Sequence, residues 1–159
     1  MIRSLRYALP ALLLALGACG FQPVYGTNLG AGDGNVRIEQ IQGRTGHALR
    51  KALLRETAAG IPGAGGPTVI RVELDETIKR LGFRPDGAAS RSSVNLRAKY
   101  VAEFPDNAVS GRAETEVFFN VPREVFGDVA AQNNAAERAA TDLARRINDD
   151  IRLRLADRG

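Results

Sequence analysis

Three consecutive segments in the middle of the chain alternate between apolar and polar residues. In TVIRVELDETI the apolar members are Ile70, Val72 and Leu74, and charged residues stand between them. SVNLRAKYVAEF repeats the alternation over residues 94–104, and AVSGRAETEVFFNV repeats it over residues 109–119. A strand with one buried face and one exposed face has this period of two. The pattern therefore predicts three antiparallel strands joined by turns.

One more short strand and two helices are predicted around these strands. The stretch NVRIEQIQ, residues 35–42, alternates like a strand, and Thr45 then offers an N-cap for a helix that Gly60 would stop. Near the C-terminus Asp128 is a second N-cap candidate. The helix after it is predicted by apolar residues at helical spacing, namely Ala136, Ala140, Leu143, Ile147, Ile151 and Leu155.

The predicted order is β-α-β-β-β-α. Each helix has one apolar stripe and the sheet has one apolar face, so these surfaces must bury each other. The order therefore predicts an α+β fold, a two-layer sandwich in which two helices pack on one face of a four-stranded, largely antiparallel sheet.

The N-terminal segment has the composition of an export signal. It begins with two cations, Arg3 and Arg6, and continues with an apolar run over residues 7–16 that only Pro10 interrupts. A membrane-spanning helix needs roughly 20 apolar residues, so this run is too short to cross a bilayer. A basic start, a short apolar core and small residues at the end are typical of a secretory signal.

The only cysteine in the sequence, Cys19, directly follows this segment. The residues Leu16-Gly17-Ala18-Cys19 resemble the lipobox of bacterial lipoproteins, in which cleavage occurs before a cysteine that carries a diacylglyceryl group. We therefore expect a lipoprotein signal peptide over residues 1–18, a lipidated N-terminus and glycine-rich tether over residues 19–35, and a single α+β domain over residues 36–159. The alternative interpretation is a buried cysteine in an N-terminal core segment.

Few residues in the sequence could carry catalysis or bind a metal. A zinc site needs several converging His, Cys or carboxylate ligands, whereas the chain has one histidine, His47, and one cysteine that we expect to be acylated. A serine–histidine–acid triad could use only His47, which also fits an exposed position at the start of a helix. We therefore expect no enzyme, no catalytic residues, no metal and no cofactor besides the diacylglycerol and N-acyl lipid on Cys19.

The charge distribution does not indicate a nucleic-acid-binding protein. The formal net charge of +4 falls to 4 − 2 = +2 once Arg3 and Arg6 leave with the signal peptide. Charges of both signs are interspersed along the remaining chain, without the basic run that a nucleic-acid-binding arm would have.

One basic cluster stands out between the second and third predicted strands. The segment IKRLGFRPDGAASR places Phe83 among four cations, Lys79, Arg80, Arg84 and Arg91. On a hairpin loop these side chains could bind a phosphate or carboxylate through charge-assisted hydrogen bonds. A solvated loop with scattered cations is the alternative.

The segment ACGFQPVYG, residues 18–26, resembles the start of the LptE family of outer-membrane lipopolysaccharide-assembly lipoproteins. In that family the lipidated cysteine precedes a Gly-Phe-x-Pro-Leu/Val-Tyr-Gly patch. The predicted element order and the Ala- and Arg-rich C-terminal helix are also similar to the family, so the resemblance covers the mature chain. Only the N-terminal patch is a specific motif.

The resemblance implies a plug and not a catalyst. In the family, the lipoprotein lies inside the lumen of the large LptD β-barrel, assists its folding and takes part in delivering lipopolysaccharide to the outer leaflet. It implies a lipid-anchored, outer-membrane protein whose domain faces the periplasm inside the barrel. The family supplies no matched motif for lipopolysaccharide contacts, so Lys79, Arg80, Arg84 and Arg91 are candidates through charge and loop position alone.

Two other interpretations remain open at this point. The chain could be a different periplasm-facing envelope lipoprotein, such as a transport auxiliary subunit or a scaffold, which would share the anchor but not the barrel partner. A lipid-anchored hydrolase would need a polar catalytic constellation, and the sequence offers none around His47.

Overall fold

The structure, a computed structural model, describes residues 36–157. Along the chain its elements are β1 (Val36–Ile38), α1 (Gly43–Glu56), β2 (Thr68–Phe83), β3 (Ala89–Glu103), β4 (Ala108–Asn120) and α2 (Val125–Ala156). This order is β-α-β-β-β-α, which confirms the prediction from the sequence pattern. The predicted signal peptide, Cys19 and the predicted tether lie outside the described residues.

The four strands form one sheet in the order β1-β2-β3-β4. β1 runs parallel to β2, with Val36 opposite Thr68, whereas β2, β3 and β4 pair antiparallel. The connection from β1 to β2 passes through α1, as a parallel pair requires. The sheet is therefore largely antiparallel, as the sequence predicts, and β3 is fully paired on both sides.

The two helices cover one face of the sheet and enclose the core. α2 packs mainly on β4 and on α1. The largest fully buried side chains come from both layers and are Tyr100, Leu49, Leu53, Ile70, Leu96, Leu143, Ile147 and Ile151. Burying one such aliphatic side chain contributes about 1.5–3 kcal/mol, so the interface between helices and sheet is the main source of stability. The opposite face of the sheet, which we call the outer face, carries mostly charged residues.

Both helices begin earlier than the sequence predicts. Thr45 is not the N-cap of α1, because the helix begins at Gly43 and Thr45 is buried in its first turn. Asp128 likewise lies within the first turn of α2, where its N–H donates to the carbonyl of Glu124 at 3.1 Å. Neither helix has a side-chain cap, so the cap-forming residue types were misleading here. In α1 the first turn is packed instead, since Thr45 and Gly46 are buried.

The predicted first strand is also shorter than the pattern over residues 35–42. β1 ends at Ile38, and the chain then turns so that Ile41 enters the core ahead of α1. Gly46 of α1 allows this turn, because a Cβ at that position would lie 2.8 Å from Cγ2 of Ile41.

A basic cleft at the hairpin end

The β2–β3 hairpin is longer than the sequence predicts, which changes the position of the candidate cations. β2 and β3 stay paired as far as Phe83 opposite Ala89, with irregular register near Gly82. The turn is closed by the N–H of Arg84, which donates to the carbonyl of Ala88 at 2.8 Å. The prediction that all four cations lie on a hairpin loop is therefore wrong, since only Arg84 lies in the turn.

The other three candidate cations lie on strands and do not share one face. Arg80 is opposite Ser92 in the ladder and points to the helix side, whereas Lys79 is opposite Ser93 and points to the outer face. Arg91 stands over the ring of Phe118 on the outer face, 5.2 Å from its centroid, a distance typical of a cation–π contact. Successive side chains of a strand point to opposite faces, so the four cations split into two groups.

A cleft of about 510 Å³ opens on the helix side, between this hairpin and the start of α2. Three arginines line it: Arg80, Arg84 and Arg123. Two acids, Glu124 and Asp128, line the wall formed by α2. The cleft is therefore polar, and its cations outnumber its acids.

Arg84 differs from the other two arginines because it already has a structural partner. Its guanidinium donates to the carbonyl of Val121 in the loop that leads from β4 into α2. This hydrogen bond ties the hairpin turn to that loop and forms one end of the cleft. Within residues 36–157, the ion pairs are made by other cations, at Arg71, Arg97, Arg145 and Arg154. Arg80 and Arg123 thus line the cleft without a carboxylate of the described residues within ion-pair distance.

Exposed apolar side chains stand on the hairpin and on the first turns of α2, the elements that form the cleft, and one of them, Ile78, lines it. Phe83 is 63% exposed and Phe126 is 90% exposed, and the same end of the fold carries Ile78, Leu81 and Val129, all exposed. Burying these groups would be favourable, and exposed apolar patches with a polar rim often mark interaction sites. We call this surface the hairpin end: the basic cleft together with these five apolar side chains. Its chemistry suits a ligand that has both anionic groups and hydrocarbon.

Sequence analysis missed Arg123 as a candidate. It follows Val121 and Pro122 at the end of β4, about 30 residues from the predicted cluster. Only the pairing of β3 with β4, in which Arg91 is opposite Asn120, brings this loop beside the hairpin. The register in which β3 and β4 pair would have indicated this proximity. That register is set by the turn between the two strands, and the sequence alone does not give the type of that turn.

A second polar cluster lies where α2 crosses the sheet, reaching from the buried Tyr100 to the exposed Arg154. The buried Tyr100 donates its hydroxyl to Asp150 of α2, and Arg154 donates to the same Oδ2 atom at 2.9 Å. Burial, followed by the hydrogen bond and charge of Asp150, raises the pKa of Tyr100 above its ordinary range. Burial alone would raise the pKa of Asp150, but the hydrogen bonds from Tyr100 and Arg154 outweigh it and hold that pKa below its ordinary value. The cluster fastens α2 to the sheet.

Candidates for catalysis and metal binding do not converge in the described part of the chain. His47 is exposed on α1. Residues 36–157 contain no group of three or more His, Cys, Asp or Glu side chains that could hold a metal ion. No helix among these residues is both long and apolar enough to cross a membrane.

Comparison with solved structures relates the fold to lipoproteins. A putative lipoprotein from Caulobacter crescentus has a TM-score of 0.60 at 24% identity, over 76% of this chain and 90% of that one. Rare lipoprotein B from Shewanella oneidensis has a TM-score of 0.57 at 12% identity, over 78% and 96%. A minor lipoprotein from Acinetobacter baumannii has a TM-score of 0.53 at 17% identity, over 80% and 95%.

Sequence comparison adds no closer relationship. No protein-family model matches the chain, and no curated protein matches it. The structural likeness at 12–24% identity concerns the fold. The described domain is an α+β sandwich of the kind that these three lipoproteins share.

Proposed function

We propose that the protein is a non-catalytic outer-membrane lipoprotein that plugs an LptD-type β-barrel, assists its folding and takes part in lipopolysaccharide assembly. The observation that carries this proposal is the shared fold, which extends over at least nine-tenths of three lipoprotein chains. The residues Leu16 to Cys19 supply the expected acylation site, and the patch after Cys19 supplies the resemblance to the LptE family.

The shape and charge of the domain support a role inside a barrel. The apolar face of the sheet is covered by both helices, while the outer face carries both cations and acids on each of its three long strands. A surface of this kind matches the polar interior of a wide β-barrel better than it matches hydrocarbon. We propose that Cys19 anchors the chain in the outer membrane and that the domain lies in the lumen, facing the periplasm.

The hairpin end supports direct contact with lipopolysaccharide, which combines phosphates with acyl chains. Arg80 and Arg123 would pair with phosphate groups through charge-assisted hydrogen bonds, and Phe83 and Phe126 would contact hydrocarbon. Arg84 would add its charge beside Val121. Lys79 and Arg91 lie on the outer face of the same hairpin. They would contact a ligand only if it extended around the hairpin from the cleft to that face.

Loss of the two free cleft arginines is expected to weaken lipopolysaccharide binding. The double variant Arg80→Ala/Arg123→Ala should bind purified lipopolysaccharide about tenfold more weakly than the wild type, because two ion pairs are lost and each is worth at most about 1 kcal/mol at an exposed position. Binding would be measured by displacement of a fluorescent lipid A analogue from the mature lipoprotein in detergent. Arg84 is left unchanged because it holds the loop at Val121.

Arg112→Ala is the matched control for this experiment. Arg112 is an exposed cation on β4 that does not line the cleft. We expect its affinity for lipopolysaccharide to equal that of the wild type. If the cleft variant and the control bound equally well, lipopolysaccharide recognition at the hairpin end would be ruled out.

A further inference from the structure

Among the strands that the structure describes, β4 lies at one edge of the sheet. In the β3–β4 ladder, the N–H of Phe104 donates to Asn107 at 2.8 Å and the N–H of Val121 donates to Ser90 at 3.0 Å. The register between these two bonds is continuous. Hydrogen-bonded positions alternate in an antiparallel ladder, so the odd-numbered residues of β4 bond to β3. The even-numbered residues direct their N–H and C=O groups away from β3, and those from Ser110 to Glu116 form the part of the edge that concerns us.

The middle of this edge carries exposed residues. The even-numbered residues in its middle are all exposed, and they are Ser110, Arg112, Glu114 and Glu116. Among the described residues, no backbone hydrogen bond outside the ladder reaches these four positions. Their backbone groups can therefore pair with a further strand without breaking a contact that the fold uses.

This edge carries charged side chains but lacks proline, lysine and a bulge, three other features that protect edge strands from pairing. β4 has 13 residues and contains neither proline nor lysine, and it pairs with β3 without a bulge. The free edge of β2 beyond Ile70 is different, because irregular register between Arg80 and Phe83 interrupts it. Natural proteins blunt or cover long edge strands, since an open one is a template for another chain. A long, regular edge of this kind is expected to be covered in the working protein.

α2 lies on the helix side of the sheet, next to the β4 edge. It packs mainly on β4, and two shallow clefts of about 400 and 540 Å³ open along it, sharing Asn134 and Arg138. The first cleft also reaches Phe118 and Asn120 of β4. A chain segment lying along the edge would therefore contact the backbone of β4 on one side and polar side chains of α2 above.

We propose that the β4 edge binds an extended segment of a partner protein, which adds antiparallel to β4 as a fifth strand. A second copy of this chain suits the edge poorly. Paired strands lie about 4.8 Å apart, whereas packed helices need about 8–10 Å between their axes. Since α2 lies over β4, a second copy would bring its own α2 into the same space. A strand without an attached helix avoids this clash.

The outer-face charges of β4 define the sequence that such a segment would have. Side chains directly opposite each other on neighbouring strands interact, and like charges in that position are unfavourable. The segment therefore needs an acid opposite Arg112 and a base opposite Glu114, with uncharged residues between them. Glu114 also pairs with Arg97 at 3.4 Å, but both side chains are exposed, and such a pair is worth little.

The sequence of β4 itself provides a matched probe. The probe is a peptide with the sequence of residues 108–118, AVSGRAETEVF. In an antiparallel register centred on Ala113, the first of its two glutamates would lie opposite Arg112 and its arginine would lie opposite Glu114. The peptide AVSGEARTEVF has these two charges exchanged and would place like charges opposite both residues. The two peptides have the same composition, so a difference in affinity reports the register.

The test measures binding of both fluorescent peptides to the mature lipoprotein in detergent. We expect the matched peptide to bind about tenfold more tightly than the exchanged one, from the summed change in two cross-strand charge pairs. The double variant Arg112→Glu/Glu114→Arg should reverse this preference. Equal affinity for the two peptides, or no binding of either, would overturn strand addition at this edge.

Glu114→Pro separates backbone pairing from charge. The N–H of Glu114 points away from β3, so proline there removes no bond of the native ladder, but it removes a donor to an added strand. We expect this variant to lose binding of the matched peptide while its thermal unfolding resembles that of Glu114→Ala. Retained binding would overturn the inference.

A concentration-dependent dimer that the peptide cannot displace would overturn it in favour of self-pairing. Residues 110–116 do not line the basic cleft, so these results are independent of lipopolysaccharide binding.

Discussion

Replacing Gly111 by valine is expected to destabilise the fold by about 3 kcal/mol, the largest effect of any single substitution considered for the domain. Gly111 lies on β4 opposite Tyr100. A Cβ at this position would lie 2.6 Å from Oδ2 of Asp150 and would overlap the hydroxyl of Tyr100. Valine would therefore separate the tyrosine from the aspartate, lose their hydrogen bond and displace α2 from the sheet.

Ser110→Val is the control for this prediction, and urea unfolding is the measurement. Ser110 is the preceding residue of β4, but its side chain points to the outer face and is exposed. Exposed substitutions of this kind usually change the free energy of unfolding by less than about 0.5 kcal/mol. If Gly111→Val were as stable as Ser110→Val, the Tyr100–Asp150 contact would not hold α2 on the sheet.

The pH dependence of unfolding provides a second comparison of the wild type with Gly111→Val. The pKa of Asp150 is lower in the folded protein than its ordinary value, which is about 3.9. The ionised carboxylate therefore stabilises the fold above about pH 4, and this contribution is lost as the pH falls further. Gly111→Val lacks the contact at every pH. The stability difference between wild type and variant should thus be largest near neutral pH and shrink below about pH 4.

Cys19→Ser is expected to abolish acylation of the chain. Cys19 is the only cysteine in the sequence, so no other thiol can accept a diacylglyceryl group. Each buried methylene contributes about 0.8 kcal/mol, and two or three acyl chains give stable anchoring. Growth with a clickable fatty acid should label the wild type strongly and the variant not at all, and the variant should be lost from the outer-membrane fraction.

His47→Ala is the control for the anchoring experiment. His47 is exposed on α1, and its replacement should leave labelling and fractionation unchanged. Full labelling of Cys19→Ser would contradict the lipobox assignment and favour the alternative of an unmodified cysteine. If His47→Ala, combined with alanine at the exposed acids of the outer face, left envelope function intact, the hydrolase alternative would also be removed.

The sheet and its element order were predictable because local patterns determine them. Val94, Leu96 and Ala98 alternate with Asn95 and Arg97, and a half-buried antiparallel strand is the structure that such a period stabilises. The helix starts were not predictable from cap residues, because neither helix uses a side-chain cap. Thr45 illustrates this, since it is buried where an N-cap would be exposed.

The site was less predictable than the fold because it depends on register. Lys79 and Arg80 are adjacent in the sequence, but successive side chains of a strand point to opposite faces, so the two cations lie on different faces of the sheet. Arg123 is distant from both in sequence and joins Arg80 only through the β3–β4 pairing. Gly111 carried a weak signal, because glycine inside a strand often marks a close approach, yet the approaching residues could be identified only from the packing of α2.

The barrel partner is the central claim, and affinity purification tests it most directly. A tagged protein would be purified from detergent-solubilised outer membrane, washed with salt and examined by mass spectrometry for bound proteins. The account predicts one large outer-membrane β-barrel in a stoichiometric amount. Recovery of the protein alone, or with an inner-membrane transporter, would contradict the plug and favour a transport auxiliary subunit or an envelope scaffold.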